Sequence, residues 1–379
     1  MTGPELGDTQ PQLGDTQPEL GDTQPELGDT PWRRSPEELQ AGLTAWAEAL
    51  RGAHATISDF RVPQSGMAND TILFHLDSEP LVARLAPSPA APYATFPQYD
   101  LHLQRDVMEL VWAKTDVPVP EVVHLEEVDH WLGVPFLVVR QIAGEVPSDN
   151  PNYLTDDAGW FLRGSADDLR RFEESTIDVL ARLHTVPDDD AAAFLRPGTP
   201  GATALERQLT YQRTYYDWAR EGRDLPLMER AFAELRDKLP SNDTSVLNWG
   251  DSRPGNIIYR DFVPVGILDW EMATVGPREV DVAWTTFFQK MFGWMSAMGG
   301  KEVPAMFDTD GTAAAYERIS GVALDDLRWY EAFCGFRMAI ILLRMSLRAV
   351  AHGIGQEPED PNWLIMFVPL MEQLLDALN

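Results

Sequence analysis

This chain reads as a strand-rich half followed by a helix-rich half that one short β segment interrupts, and that order constrains its architecture more than any other feature. Ile57, Phe60 and Val62 open a first β-prone run, Gln64 to Asp70 reads as a turn, and Thr71 to Leu76 reads as a second strand. Asp77 to Pro80 turns into Leu81-Val82-Ala83-Arg84-Leu85. A proline-rich loop, Pro87 to Pro97, then leads to a helix from about Tyr99 to Lys114, which Val117-Pro118-Val119-Pro120 breaks. Two more strands follow, Val122 to Leu125 and Phe136 to Gln141. From Leu169 onward the apolar period is helical, over Leu169 to His184, Thr203 to Arg220, Leu227 to Lys238, Asp281 to Met298, Leu324 to Ala351 and Trp363 to Leu378. A parallel, doubly wound sheet would need strands and helices in alternation. The observed order predicts an α+β fold: a five-stranded antiparallel sheet with one helix inserted after its third strand, then a helical region. Ahead of the sheet, Ser35-Pro36-Glu37-Glu38 is a capping box with proline at the first helical position. Leu39, Leu43, Trp46 and Leu50 mark one face of that helix, and Gly52 ends it.

Composition narrows the function classes. The 379 residues carry 60 acidic and 30 basic side chains, a formal net charge of −30. Such a surface repels phosphate backbones and anionic lipid, which argues against nucleic-acid partners and a polybasic membrane anchor. The most apolar helix, Phe333 to Val350, is interrupted by Arg337, Arg344 and Arg348, so no membrane span is expected. A lone cysteine, Cys334, leaves no intrachain disulfide and no multi-cysteine zinc site. With no secretory signal visible at the N-terminus, a reducing, cytoplasmic setting is expected. Residues 4–31 repeat a heptad (PELGDTQ), each copy with one leucine, a proline and a glycine. That composition excludes a coiled coil and predicts a disordered acidic tail over 1–34.

The short β segment that interrupts the helix-rich half is Ser245 to Trp270. It reads Leu247-Asn248-Trp249-Gly250-Asp251-Ser252-Arg253-Pro254-Gly255-Asn256-Ile257-Ile258-Tyr259-Arg260, a polar turn over Asp261 to Pro264, then Val265-Gly266-Ile267-Leu268-Asp269-Trp270-Glu271. A hairpin centred between Phe262 and Val263 sets Asn256 opposite Asp269, with Cβ atoms about 4.5–5.5 Å apart. An amide oxygen and a carboxylate at that spacing suit a hard divalent cation such as Mg²⁺. Asp251 lies across a Gly/Pro-containing loop that can turn its carboxylate back toward the metal. Asp-x-x-x-x-Asn followed by a hairpin and a second Asp is the phosphoryl-transfer arrangement. Asp251 would accept or orient a substrate hydroxyl, Asn256 and Asp269 would hold Mg²⁺ on the nucleotide phosphates, and Ile258 and Leu268 would floor the base. Other cradles fail: Gly300-Lys301 lacks the P-loop flanks, and Gly353-Ile354-Gly355 follows a helix and runs into Pro358.

Trp249-Gly250-Asp251 through Asn256, with Asp269-Trp270-Glu271, resembles the signature of the aminoglycoside/choline kinase-like phosphotransferase family. The resemblance spans about Asp59 to Phe288, and Ala181-Arg182-Leu183-His184 resembles that family's helix end ahead of the catalytic loop. Within the family the pattern is most similar to the kinase-like domains fused to acyl-CoA dehydrogenases. The resemblance implies a bilobal, protein-kinase-like fold, with a nucleotide-binding lobe over 35–141, a helical lobe over 142–379, and ATP or GTP bound between them. It also exposes departures. Trp249 stands where the family usually has histidine. No lysine precedes Lys114, so Arg84 is the one candidate on the third strand for holding phosphates, which its guanidinium can do bidentately. Its helix partner would be Gln104 or Glu109. The turn at Gly66 would cover the phosphates through backbone groups of Met67, Ala68 and Asn69. Val139, Arg140, Gln141 and Ile142 would form the hinge that offers backbone groups to the base. Glu271 would add charge behind the metal, and Asp281 would brace the catalytic loop.

The acceptor stays open at this level. The acidic balance favours a cationic acceptor such as an aminoglycoside, while a hydroxylated metabolite, including a hydroxyacyl thioester, fits the subgroup. A rival class is a catalytically silent nucleotide-binding protein, motivated by the missing strand lysine.

Overall fold

The computed structural model describes residues 34–63, 71–88 and 93–379. The heptad repeat and the Gly66–Asn69 turn lie outside the described residues. α1 (Pro36–Arg51) begins at the expected capping box, where Ser35 and Glu38 satisfy each other's backbone amides, and ends at Gly52 with φ 100°. Strands β1 (Ile57–Arg61), β2 (Thr71–Leu76), β3 (Glu79–Leu85), β4 (Val122–Glu126) and β5 (Phe136–Arg140) form one antiparallel sheet in the order β1-β2-β3-β5-β4. α2 (Leu101–Lys114) is inserted after β3 as expected, and Asp100 caps it by accepting from the Leu103 amide.

The sheet's two-residue period assigns its faces. Leu81, Ala83 and Leu85 of β3, with Phe136 and Val138 of β5, pack with Leu39, Leu43 and Trp46 of α1. Trp46 sits edge-on to Phe74 and Phe136, and each such fully buried side chain contributes about 1.5–3 kcal/mol. Leu50, expected on that face, is 43% exposed; it lies in the last turn, where neighbouring Arg51 pairs with Glu79 at the sheet's rim. The alternate residues Leu137 and Val139 join the second core, with Val107, Met108 and Val111 of α2 and the helices that follow. Arg84 is out of phase with Leu81, Ala83 and Leu85 and opposite Leu137 in register, so it projects from this second face, toward the helical lobe.

The helical region comprises α3 (Ala166–Leu183), α4 (Ala204–Ala219), α5 (Pro226–Asp237), α6 (Glu279–Met298), α7 (Thr309–Ser320), α8 (Leu327–Ala351) and α9 (Val368–Asp376). α7 was not foreseen: its Thr309–Ser320 stretch is rich in alanine and charge and buries only Thr312 and Tyr316, which leaves a faint apolar stripe. The β interruption is larger than a hairpin. β6 (Val246–Asn248) pairs with β9 (Thr274–Gly276), and β7 (Ile257–Arg260) pairs with β8 (Val263–Ile267). The loops 249–256 and 268–273 therefore bridge the same two small sheets and are forced side by side.

The hairpin register differs from expectation. Ile257 faces Ile267, Arg260 faces Val263, and a bulge lies between Ile258 and Tyr259. The turn is two residues long, Asp261 and Phe262, with φ 52° and 62°, the left-handed pair of a type I′ turn. Asn256 consequently accepts from the Leu268 amide at 2.9 Å and lies opposite Leu268 rather than Asp269.

Candidate functional site

Asp251 is held from three sides. The Asn256 Nδ2 donates to its Oδ2 at 2.7 Å, the Trp284 indole donates to its Oδ1 at 2.7 Å, and Arg253 Nε lies 3.1 Å and 3.2 Å from the two oxygens. Only 14% of the Asp251 side chain is exposed. Arg253 also pairs with Asp149 and lies over the Phe288 ring. Burial opposes its charge, but Asp251 and Asp149 outweigh that and hold the guanidinium firmly protonated. Asp251 is thus an oriented carboxylate, held by Asn256, Arg253 and Trp284.

The loop's own shape is set by Asp281, at the first turn of α6. Its fully buried carboxylate accepts from the Trp249 amide at 2.6 Å and the Gly250 amide at 2.9 Å, and His184 Nε2 lies 3.2 Å from it. Gly250 has φ 92°, and a Cβ there would come 2.1 Å from the Met272 carbonyl oxygen, so only glycine fits. The Trp249 indole donates to the Leu268 and Asp269 carbonyls at 2.9 and 3.2 Å. It ties the two loops together from the position where histidine was expected. Asp281→Ala leaves two buried amides and a buried imidazole without their acceptor. The expected cost is about 3–5 kcal/mol, a fall in Tm on the order of 5–10 °C by calorimetry; an unchanged Tm would contradict the bracing geometry.

Asp269 lies one residue beyond the pairing predicted for it and adopts φ 59°. Its Oδ1 accepts from Arg84 Nη2 at 2.9 Å, so the strand arginine meets the hairpin aspartate across 185 residues of sequence. Neither helix candidate fills that role: Glu109 is exposed, and Gln104 is buried with its Nε2 unpaired. Burial opposes the Arg84 charge, yet Asp269, Tyr99 and Glu271 together hold the guanidinium protonated, and its Nε is buried without a partner. Arg253, bonded to Asp251, also feels the Asp269 charge.

These oxygens fit a magnesium ion by their chemistry. The Asn256 amide nitrogen is committed to Asp251, to its backbone oxygen at 3.1 Å as well as its carboxylate, so the Asn256 Oδ1 is the atom left for a cation. Asp269 already answers a cation, the Arg84 guanidinium. Two protein oxygens, with phosphate and water completing the shell, are what Mg²⁺ characteristically takes.

On the base side, the chain leaving β5 is bonded to β7: Glu145 and Tyr259 exchange backbone hydrogen bonds of 2.9 and 2.8 Å. A Cβ on Gly144 would come 2.5 Å from Ile258 Cγ2. Ile258 is buried and Leu268 half-buried, and Ile142 lies against Gly266 beside Ile258. In the hinge, the Arg140 and Gln141 amides already donate to Glu121 and Pro80 carbonyls, and the Arg140 side chain pairs with Glu79 and Glu121. Those two amides are therefore not free to meet a base. Surface hollows of about 530 and 410 Å³, against α1 and beside residues 303–310, contain none of these residues.

Sequence reading missed Trp284 and Arg253 as neighbours of Asp251, and Asp149 as the partner of Arg253. Trp284 carried a usable signal, since it follows Asp281 by one helical turn and so shares its face. Asp149 carried none.

A model of the phosphotransferase enzyme family matches residues 59–322. Mouse acyl-CoA dehydrogenase family member 10 is 26% identical over 333 residues, covering 84% of this chain but 29% of that protein; the chain spans less than a third of that relative. A protein from Ralstonia eutropha assigned as an aminoglycoside phosphotransferase superposes with a TM-score of 0.63 at 22% identity, covering 89% of this chain and 97% of that one. A thermostable mutant of aminoglycoside phosphotransferase APH(4)-Ia, in a ternary complex with AMP-PNP and hygromycin B, gives 0.51 at 17% identity, over 89% and 97%. The likenesses are of fold, kinase-like with an antiparallel sheet followed by helices. Among the described residues no helix is long and apolar enough to cross a membrane.

Proposed function

The chain belongs to the phosphotransferase enzyme family, and on that premise we propose that it transfers the γ-phosphate of ATP or GTP to the hydroxyl of a small molecule. The observation that carries this reading is the Asp251 carboxylate, oriented by Asn256, Trp284 and Arg253 beside the Arg84–Asp269 pair. Asp251 receives or orients the acceptor hydroxyl proton, so that the oxygen is placed in line with the phosphorus. Asn256 Oδ1 and Asp269 would hold Mg²⁺, which when bound neutralises charge on the phosphate oxygens. Arg84 lies beside Asp269 and adds a fixed positive charge at the same place. Trp249, Asp281 and Glu271 support these groups from behind, and Ile258, Leu268 and the 139–142 hinge line the base side. The acceptor class is a hydroxylated antibiotic of aminoglycoside type or a hydroxylated metabolite such as a hydroxyacyl thioester.

The rival reading, nucleotide binding without transfer, draws on the Arg84–Asp269 ion pair, which occupies the proposed metal carboxylate with a protein cation. One assay separates the two: purified protein with Mg·ATP against a panel of hydroxylated metabolites and antibiotics, with phosphorylated products read by mass spectrometry. Acceptor-dependent product that disappears in D251N supports transfer; nucleotide binding with no product across the panel supports the rival. Arg84→Ala is expected to weaken nucleotide binding severalfold in calorimetric titration, with Arg84→Lys recovering part of it. Unchanged affinity in R84A would remove Arg84 from the nucleotide site.

A further inference from the structure

Two arginines are buried among the described residues, both on α8 and two helical turns apart, and only one of them is answered. Arg344 pairs with Glu221 at 2.7 Å and donates to the Ala94 carbonyl at 2.9 Å. Arg337 is 3% exposed and, among the described residues, forms no ion pair with any carboxylate. Its Nη2 donates to the Gly250 carbonyl at 2.9 Å, while its Nε and Nη1 are buried without partners. Its guanidinium lies over the Trp284 ring at 4.4 Å and the Phe333 ring at 5.8 Å. Ring faces soften the burial of a cation but do not satisfy its N–H groups. Cys334 is no substitute anion, since burial pushes its thiol pKa up and keeps it neutral.

A buried, incompletely bonded charge is costly, and a bound anion that completes its hydrogen bonds removes that cost. The position is specific. Arg337 touches the residue before Asp251 and covers the indole that donates to Asp251. It approaches the catalytic loop from α8, whereas Arg84 approaches Asp269 from β3. Tyr211 of α4 is close enough to feel the Arg337 charge, which works against the rise that burial gives its phenol, and Tyr211 itself is 39% exposed.

We propose that Arg337 is a specificity-determining residue that binds an anionic group of the acceptor, a carboxylate or a phosphate ester, while the acceptor's hydroxyl lies at Asp251. This deepens the transferase reading and rests on it. The acceptor would then be bifunctional, with a hydroxyl for the incoming phosphate and a negative charge a short distance away. The inference also runs against the cationic acceptor that the net charge of −30 favours, because Arg253 and Arg337 stand at the Asp251 loop itself while the distant surface charges are screened.

The test uses three acceptors that share one hydroxyalkyl chain and end in a carboxylate, a phosphate ester or a neutral carboxamide. Wild-type protein is expected to prefer an anionic form over the amide by at least tenfold in kcat/KM, and whichever anion wins identifies the group. Arg337→Met should abolish the preference, with the loss falling on KM for the anionic acceptors, and Arg337→Lys should restore part of it. A preference that survives in R337M, or a kcat loss shared equally by all three acceptors, would overturn the proposal. A second readout does not require turnover. With Mg·ADP saturating, inorganic phosphate should raise the Tm of wild type and of D251N above a chloride control of equal ionic strength, but not that of R337M. If phosphate shifts R337M as much as wild type, the anion site is wrong. If the shift is lost in R337M while none of the acceptors is phosphorylated, the anion site stands and the transferase reading falls.

Discussion

Asp251→Asn is expected to lower kcat for acceptor phosphorylation by about a thousandfold, within the 10²–10⁴ range typical of a positioned general base, while leaving the fold and nucleotide affinity nearly unchanged. The amide keeps the size of the carboxylate, so the loop is not asked to collapse. Arg253 retains Asp149, and the loop amides retain Asp281. What is lost is the acceptor for a proton, together with one of the hydrogen bonds from Trp284 and Asn256, since an amide offers one oxygen where the carboxylate offered two. Asp251→Ala is the poorer test, because it strands the Trp284 and Asn256 N–H groups and confuses loss of chemistry with loss of structure. Circular dichroism and calorimetric titration of nucleotide serve as controls. A D251N protein within tenfold of wild-type kcat would show that Asp251 does not handle the hydroxyl.

Asp269→Asn should be nearly as damaging, by another route. The residue has φ 59°, a conformation asparagine tolerates as well as aspartate, so the backbone survives the change. The negative charge does not survive, and two cations lose it: the metal that Asp269 would hold and the Arg84 guanidinium bonded to it. The expected result is a fall in kcat/KM for Mg·ATP of at least a hundredfold, on the order of 3 kcal/mol, and an activity that no longer responds to Mg²⁺ concentration. Magnesium dependence like that of wild type in D269N would place the metal elsewhere.

How much of this was legible depends on sequence distance. The five strands, the inserted helix and the capping box were readable because their signals are local periods and caps. The alternation of Leu81, Ala83 and Leu85 set Arg84 apart from them, but the face it projects from emerged only with the packing of α1 and α2 on the sheet. Its partner did not, because Asp269 is 185 residues away and reaches Arg84 only through the packing of the sheet on the helical lobe. The hairpin itself was legible, but its register was not. Asp261 and Phe262 both take positive φ, an unusual choice without glycine, and the bulge at Ile258/Tyr259 shifts the pairing again. The loops that carry Asn256 and Asp269 lie side by side because β6–β9 and β7–β8 bracket both of them, and that pairing of β6 with β9 left no local signature. Arg337 reads in sequence as an interruption of an apolar helix; only its surroundings reveal that the charge is buried and incompletely bonded.

The central claim is that Asn256 and Asp269 share one metal on a bound nucleotide. Manganese can stand in for magnesium, and the signal of the free ion in electron paramagnetic resonance reports its uptake directly. With ADP present, wild-type protein should withdraw one equivalent of Mn²⁺ from solution, and Asn256→Ala and Asp269→Asn should each reduce that uptake by at least tenfold in affinity. Equal uptake by all three proteins would contradict the claim.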